Sequence, residues 1–183
     1  MSEPTIYCID EDDTIVSVDD AWVRFGQDNN LLLSAVDVVG KPLWGFIADL
    51  QTRELYYSVL KRVRTKQAVM RLPFRCDGPC RRRYMELTIR QLGNGQVEFR
   101  GVTVREEDRT PADLFDADIP RSTADLKVCS WCKKLESSAG NWVEVEDAIR
   151  DLHLFEAHKL PELRHCNCPA CVESIYAEIA ALG

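Results

Sequence analysis

Tyr84-Met85-Glu86-Leu87-Thr88-Ile89-Arg90-Gln91-Leu92-Gly93-Asn94-Gly95-Gln96-Val97-Glu98-Phe99-Arg100-Gly101-Val102-Thr103-Val104 reads as two antiparallel strands and their turn. Met85, Leu87 and Ile89 alternate with Glu86, Thr88 and Arg90, the period-2 pattern of a sheet with one buried face. Gly93-Asn94-Gly95 supplies the positive-φ residues that a tight hairpin needs. Beyond it the apolar positions change parity, from Val97 and Phe99 to Val102 and Val104. A β-bulge at Gly101 is expected to absorb that slip.

Working outward, Val69–Arg75 predicts a third strand of the meander. A helix is expected over Leu50–Thr65, with Leu55, Val59 and Val63 at i, i+4 and i+8 on one face. Pro42, after the Gly40-Lys41 turn, opens a short helix holding Leu43, Trp44, Phe46 and Ile47. Asp19 or Asp20 caps another through Trp22, Val23 and Phe25. Two short strands, Thr5–Ile9 and Thr14–Val18, flank the turn Asp10-Glu11-Asp12-Asp13. Residues 106–125, acidic and with two prolines, read as a connector with a helical turn near Ala112–Phe115.

The whole chain has 183 residues, 45% apolar and 29% charged, a balance for globular folding rather than disorder. No apolar run approaches the roughly 18 residues that span a bilayer. The N-terminus lacks a basic flank and an apolar stretch, so a cytoplasmic protein without membrane contact is expected. The net charge of −7 argues against a surface built for nucleic acid. Locally, residues 61–83 concentrate nine basic side chains against Asp77 alone. They read as a solvated face, with an anionic partner as the alternative.

Eight cysteines are unevenly spread, and Cys129, Cys132, Cys166, Cys168 and Cys171 crowd near the end. In a reducing compartment such clustering points to metal rather than disulfides. Cys129-Ser130-Trp131-Cys132 and Cys168-Pro169-Ala170-Cys171 form two C-x-x-C pairs, each able to present two thiolates to one ion. Two pairs close a tetrahedron, so a structural zinc is expected. Pro169 begins a helix over Ala170–Leu182, whose N-terminal dipole favours thiolates. His165 and Cys166 are alternate ligands. Cys76, Cys80 and Cys166 are candidate redox thiols, with arginines flanking Cys76 and Cys80 expected to lower their pKa.

No phosphate-binding glycine loop, H-E-x-x-H, kinase or cyclase signature occurs, and a non-enzymatic role is expected. Glu144 and Glu146, two apart on a helix, are not expected to face each other. The histidines are His153, His158 and His165, which excludes a histidine-held haem within residues 1–120.

Strand, strand, three helices and a three-stranded meander is the element order of PAS domains. Ile9-Asp10 through Val18-Asp19-Asp20-Ala21-Trp22 and Val39-Gly40-Lys41-Pro42-Leu43-Trp44 resemble segments of bacterial PAS-like sensors, over about residues 5–105. Asp19 stands where many members have asparagine. The resemblance implies a sheet curled over helices around a small pocket, whose ligand it does not identify. Val128-Cys129-Ser130-Trp131-Cys132-Lys133-Lys134, Asn141–Glu146 and Arg164-His165-Cys166-Asn167-Cys168-Pro169-Ala170-Cys171 resemble a zinc-binding module that often follows PAS domains in bacterial signalling proteins. That match implies Cys129, Cys132, Cys168 and Cys171 as ligands and places His165 on the module's histidine. Cys166 replaces a glycine of the pattern, so a site of three sulfurs and one nitrogen stays open.

The expected class is therefore α+β: a PAS-like five-stranded antiparallel sheet with helices (1–105), a linker (106–125), and a small α-rich, zinc-stabilised domain (126–183). The expected function is signal transduction, by sensing or dimerisation, with a homodimer or another protein as partner. A thiol-based redox or metal sensor and a nucleic-acid-binding regulator are the alternatives.

Overall fold

The computed structural model describes residues 3–29, 34–116, 119–154 and 159–182. His158 lies outside the described residues. Strands β1 (Thr5–Ile9) and β2 (Ile15–Val18) form a hairpin closed by the four-acid turn, where Asp10 Oδ1 accepts from the N–H groups of Asp12 and Thr14. Helix α1 (Asp20–Gln27) follows, capped by Asp19, whose Oδ1 accepts from Trp22 N–H at 2.6 Å. After the short α2 (Ala35–Val38) comes a 3-10 turn at Leu43–Phe46. Helix α3 (Leu50–Lys66) starts at Asp49, which accepts from Thr52 N–H at 2.7 Å.

The meander then runs through β3 (Val69–Arg75), β4 (Arg81–Gln91) and β5 (Val97–Asp108). The sheet is antiparallel throughout, in the order β2-β1-β5-β4-β3. Its inner face presents Ile9, Met70, Leu72, Leu87, Ile89, Val97 and Phe99. Leu55, Val59, Leu60 and Val63 of α3 pack on it, all buried. Each such side chain contributes about 1.5–3 kcal/mol through removal from water.

Gly101 does not form a bulge. It pairs in register with Leu87 on one side and Thr5 on the other. The irregularity lies further along, where Tyr84 faces Arg105 and Met85 faces Thr103, leaving Val104 extra and 70% exposed. Glycine at 101 serves close approach instead, because a Cβ there would stand 2.8 Å from Thr5 Oγ1. Gly101→Ala is expected to cost about 1–2 kcal/mol in urea unfolding, as overpacking does. Thr5→Ala in the same chain should restore most of it. A double-mutant cycle with no coupling would refute the clash.

The segment after β5 is more ordered than a linker. Residues 106–108 belong to β5, Asp113–Phe115 form a 3-10 turn, and Ala112 and Leu114 are fully buried. Strand β6 (Arg121–Cys129) leads to β7 (Leu135–Glu136), β8 (Trp142–Val143), α4 (Val145–Asp151), β9 (Leu160–Cys166) and α5 (Pro169–Ala181). The C-terminal third is thus not α-rich. It holds a four-stranded sheet ordered β8-β7-β6-β9, with β6 and β9 parallel. Two of those strands have two residues each, too few for an alternating pattern, and Pro161 masks the third.

Leu126, Val128, Leu135, Val145, Ala148 and Ile149 form a core under this second sheet. The cysteine segments do not sit in that core. Cys129, Trp131, Cys168 and Ile175 belong to the buried cluster of the five-stranded sheet and α3. Among the described residues no helix is long and apolar enough to cross a membrane.

Candidate metal centre

Cys129 ends β6, and the chain turns back at once into β7. Cys129 N–H donates to Lys134 O at 2.8 Å and Lys133 N–H to Cys129 O at 3.0 Å. Lys133 adopts φ +61°, which reverses the chain in so few residues. On the other side Cys168 caps α5 and Pro169 occupies its first turn. Proline suits that position because the missing N–H would have no helical partner. Cys171 then lies one turn into α5, its N–H donating to Cys168 O at 3.1 Å.

These two turns bring the sulfurs of Cys129, Cys132, Cys168 and Cys171 within 4.8 Å of one another. The Cys132 and Cys168 sulfurs are 3.7 Å apart. Four sulfurs at about 2.3 Å from a central ion would be separated by about 3.8 Å along each tetrahedral edge. The donor set and the spacing therefore fit a metal ion. Backbone N–H groups of Cys132 and Cys168 point at Cys129 Sγ, at 3.5 and 3.3 Å. Hydrogen bonds from the Cys132 and Cys171 thiols, with those N–H groups, hold the Cys129 thiol far below its ordinary range. The same bonds push the donors up, Cys132 to about 12 and Cys171 further.

The cluster is clamped onto the first sheet and α3 by polar contacts of very long range. Trp131 Nε1–H donates to Pro73 O at 2.7 Å, and Arg75 N–H donates to Trp131 O at 2.8 Å. Ser130 Oγ is 3.1 Å from Asp49 Oδ2, at the start of α3. Asn167, buried, donates from Nδ2 to Thr52 Oγ1 at 2.8 Å, and its backbone N–H reaches Gln51 Oε1 at 2.9 Å. The edge of β3 and the first turn of α3 thus receive both cysteine turns.

The alternate ligands fall outside the group. Cys166 pairs with Cys129 across the parallel strands, its Sγ 3.8 Å from Val128 O. Burial pushes its thiol up to about 11. His165, exposed, pairs with Val128 and lines a different cavity of about 340 Å³ with Arg121 and Lys133. Cys76 and Cys80 lie in the β3–β4 loop as free thiols. The expectation of a lowered Cys76 pKa does not hold, since burial raises it against the pull of Lys133 and Arg83.

The arginine run is not a bare cationic face. Arg75 bonds Asp77 and also Glu144, at 2.7 Å. Arg82 reaches Glu144 at 3.4 Å and Glu146 at 2.9 Å, and Arg81 and Arg83 both contact Glu106. Arg109 joins Asp77 at 3.2 Å to Glu146 at 2.8 Å. Glu144 and Glu146 do converge, contrary to the helical-spacing argument. Glu144 is the cap residue before α4 rather than part of it, so both carboxylates reach Arg82. Nothing in the spacing of these residues reveals that meeting, which joins the start of α4 to the facing ends of β3 and β4 more than sixty residues earlier. No protein-family model matches the chain, and no curated protein does.

Proposed function

We propose that the protein is a non-catalytic regulatory module of the signal-transduction class. In this reading a PAS-type sensing or dimerisation fold is fastened to its C-terminal third by a structural zinc ion. The observation that carries it is the all-thiol group, seated on the β3 edge and the start of α3. Cys129, Cys132, Cys168 and Cys171 would hold the ion. Four sulfurs leave no position for water or substrate, so the ion would supply cross-linking and no reaction step. The element order of β1 to β5, with helices between β2 and β3, supports the PAS reading. A partner, whether a second copy or another protein, would carry the output.

Two observations weigh against the alternatives. Cys166 lies outside the four-sulfur group and is half-buried, its Sγ against Val128 O at 3.8 Å, which limits its access to an oxidant. The arginines that would contact nucleic acid are largely engaged by Glu106, Glu144, Glu146 and Asp77.

Native mass spectrometry of freshly purified, reduced protein tests the reading. One zinc per chain is expected, with X-ray absorption showing only sulfur neighbours at about 2.3 Å. Protein without metal, or a nitrogen in the ion's coordination shell, would overturn the assignment. The same spectrum reports whether two copies associate.

A further inference from the structure

Against the cysteine group, with Cys132, Cys168 and Cys171 in its lining, a groove of about 590 Å³ opens between α5 and the strands β3 and β4. Its walls are mainly aromatic and aliphatic: Phe74, Tyr84, Trp131 and Trp142 with Met85 and Ile175. That volume falls within the range of about 300–1,000 Å³ that small-molecule sites occupy. The aromatic wall is rigid. The Trp131 ring is fixed by its N–H bond to Pro73 O and by tilted contacts with Phe74 and Tyr56, 6.4 and 5.8 Å between centroids.

Two cations line the groove, and they differ. The Arg75 guanidinium is consumed by Asp77 and Glu144. Lys134 has no carboxylate partner among the described residues. Neighbouring Lys133 turns its ammonium to Ser130 O at 2.9 Å instead. The groove therefore offers flat apolar walls and one uncommitted positive charge.

We infer that this groove binds a flat, largely apolar small molecule with a single anionic group, an aromatic carboxylate, its rings between α5 and Trp131 and its carboxylate toward Lys134. The apolar body gains from leaving water, and the carboxylate gains a charge-assisted hydrogen bond. This inference goes beyond the regulatory reading but rests on it in one respect, since the groove shares Cys132, Cys168 and Cys171 with the proposed ion site, while Phe74, Tyr84, Trp142 and Ile175 come from β3, β4, β8 and α5.

The test is titration of the full chain with 2-naphthoate, followed by amide and indole NMR shifts and by calorimetry. Metal content is measured in parallel, so that loss of the ion and loss of the groove are told apart. Saturable binding is expected, with shifts centred on Trp142, Ser174 and Ile175. The cationic analogue 2-naphthylmethylammonium should bind about tenfold more weakly, the scale of one hydrogen bond to a charged group. Lys134→Gln should erase that preference while leaving the fold and metal content intact. Ser174→Trp, a change on the exposed face of α5 at the groove's edge, should occlude the site and lower affinity at least about tenfold. Non-saturable shifts spread over the surface, or affinity unchanged in Ser174→Trp, would overturn the site. Equal binding of the two analogues by the native chain would overturn the anionic ligand class.

Discussion

Cys129→Ser is expected to abolish stoichiometric metal binding and to lower the midpoint of thermal unfolding by about 10–20 °C. The Cys129 sulfur closes β6, is fully buried, and accepts N–H bonds from both cysteine turns. Through those turns one ion would join the second sheet, α5, the β3 edge and the start of α3. In small zinc fingers the ion contributes about 10–16 kcal/mol, because little else folds the chain. Here two apolar clusters persist without it, so about 5 kcal/mol is the appropriate scale. For a chain of this size each kcal/mol moves the midpoint by about 2–4 °C. Cys80→Ser, at an exposed loop thiol, is the control and should shift stability by less than about 0.5 kcal/mol. Amide exchange should rise first in α5 and the Cys129–Lys134 turn, while the centre of the first sheet stays protected. A serine variant that keeps one metal per chain and melts within a few degrees of the native protein would remove the clamp from the account.

The sequence made some of this legible for identifiable physical reasons. The β4 and β5 strands are long and half-buried, so their alternation is strong. Helix α3 buries one stripe, and its apolar residues repeat at helical spacing. The two C-x-x-C pairs are local motifs, and each turn is built from neighbours in the chain. What stayed hidden depends on contacts between distant segments. Asn167 meets Thr52 and Ser130 meets Asp49 through polar atoms, which no periodicity reports. The same holds for the placement of Trp131 in the first core. A Trp between two cysteines reads as part of a turn, yet its ring crosses to Phe74 and Tyr56. Within the basic stretch of residues 61–83, Arg75, Arg81, Arg82 and Arg83 look opposed by Asp77 alone because their other acids arrive from later in the chain. Glu106 comes from the neighbouring strand, and Glu144 and Glu146 come from the start of α4.

Asp77→Ala is expected to destabilise the protein by about 3–5 kcal/mol, the scale for leaving a buried charge without its partner. The Asp77 side chain has no exposed surface, and the two guanidinium groups on it, Arg75 and Arg109, are 8% and 3% exposed. Burial works against the Arg75 charge, but hydrogen bonds to Asp77 and Glu144 push its pKa above the ordinary value. Burial pulls Arg109 down, with Glu146 and Asp77 opposing. The three cations Arg75, Arg82 and Arg109 are balanced by Asp77, Glu144 and Glu146, so removing the central carboxylate leaves excess positive charge in a dry site. Because Glu144 and Glu146 lie at the start of α4, the loss should also loosen the second sheet from the β3–β4 loop. The double change Asp77→Leu with Arg109→Met removes both charges and should be markedly less damaging than Asp77→Ala alone, since apolar replacement of a buried pair is often neutral. Exposed Arg24 with Glu3 provides the contrast, and Arg24→Ala should cost well under about 1 kcal/mol. Urea unfolding of the three variants decides the point: an Asp77→Ala loss as small as that of Arg24→Ala would mean that water screens the network and that packing alone joins the two sheets.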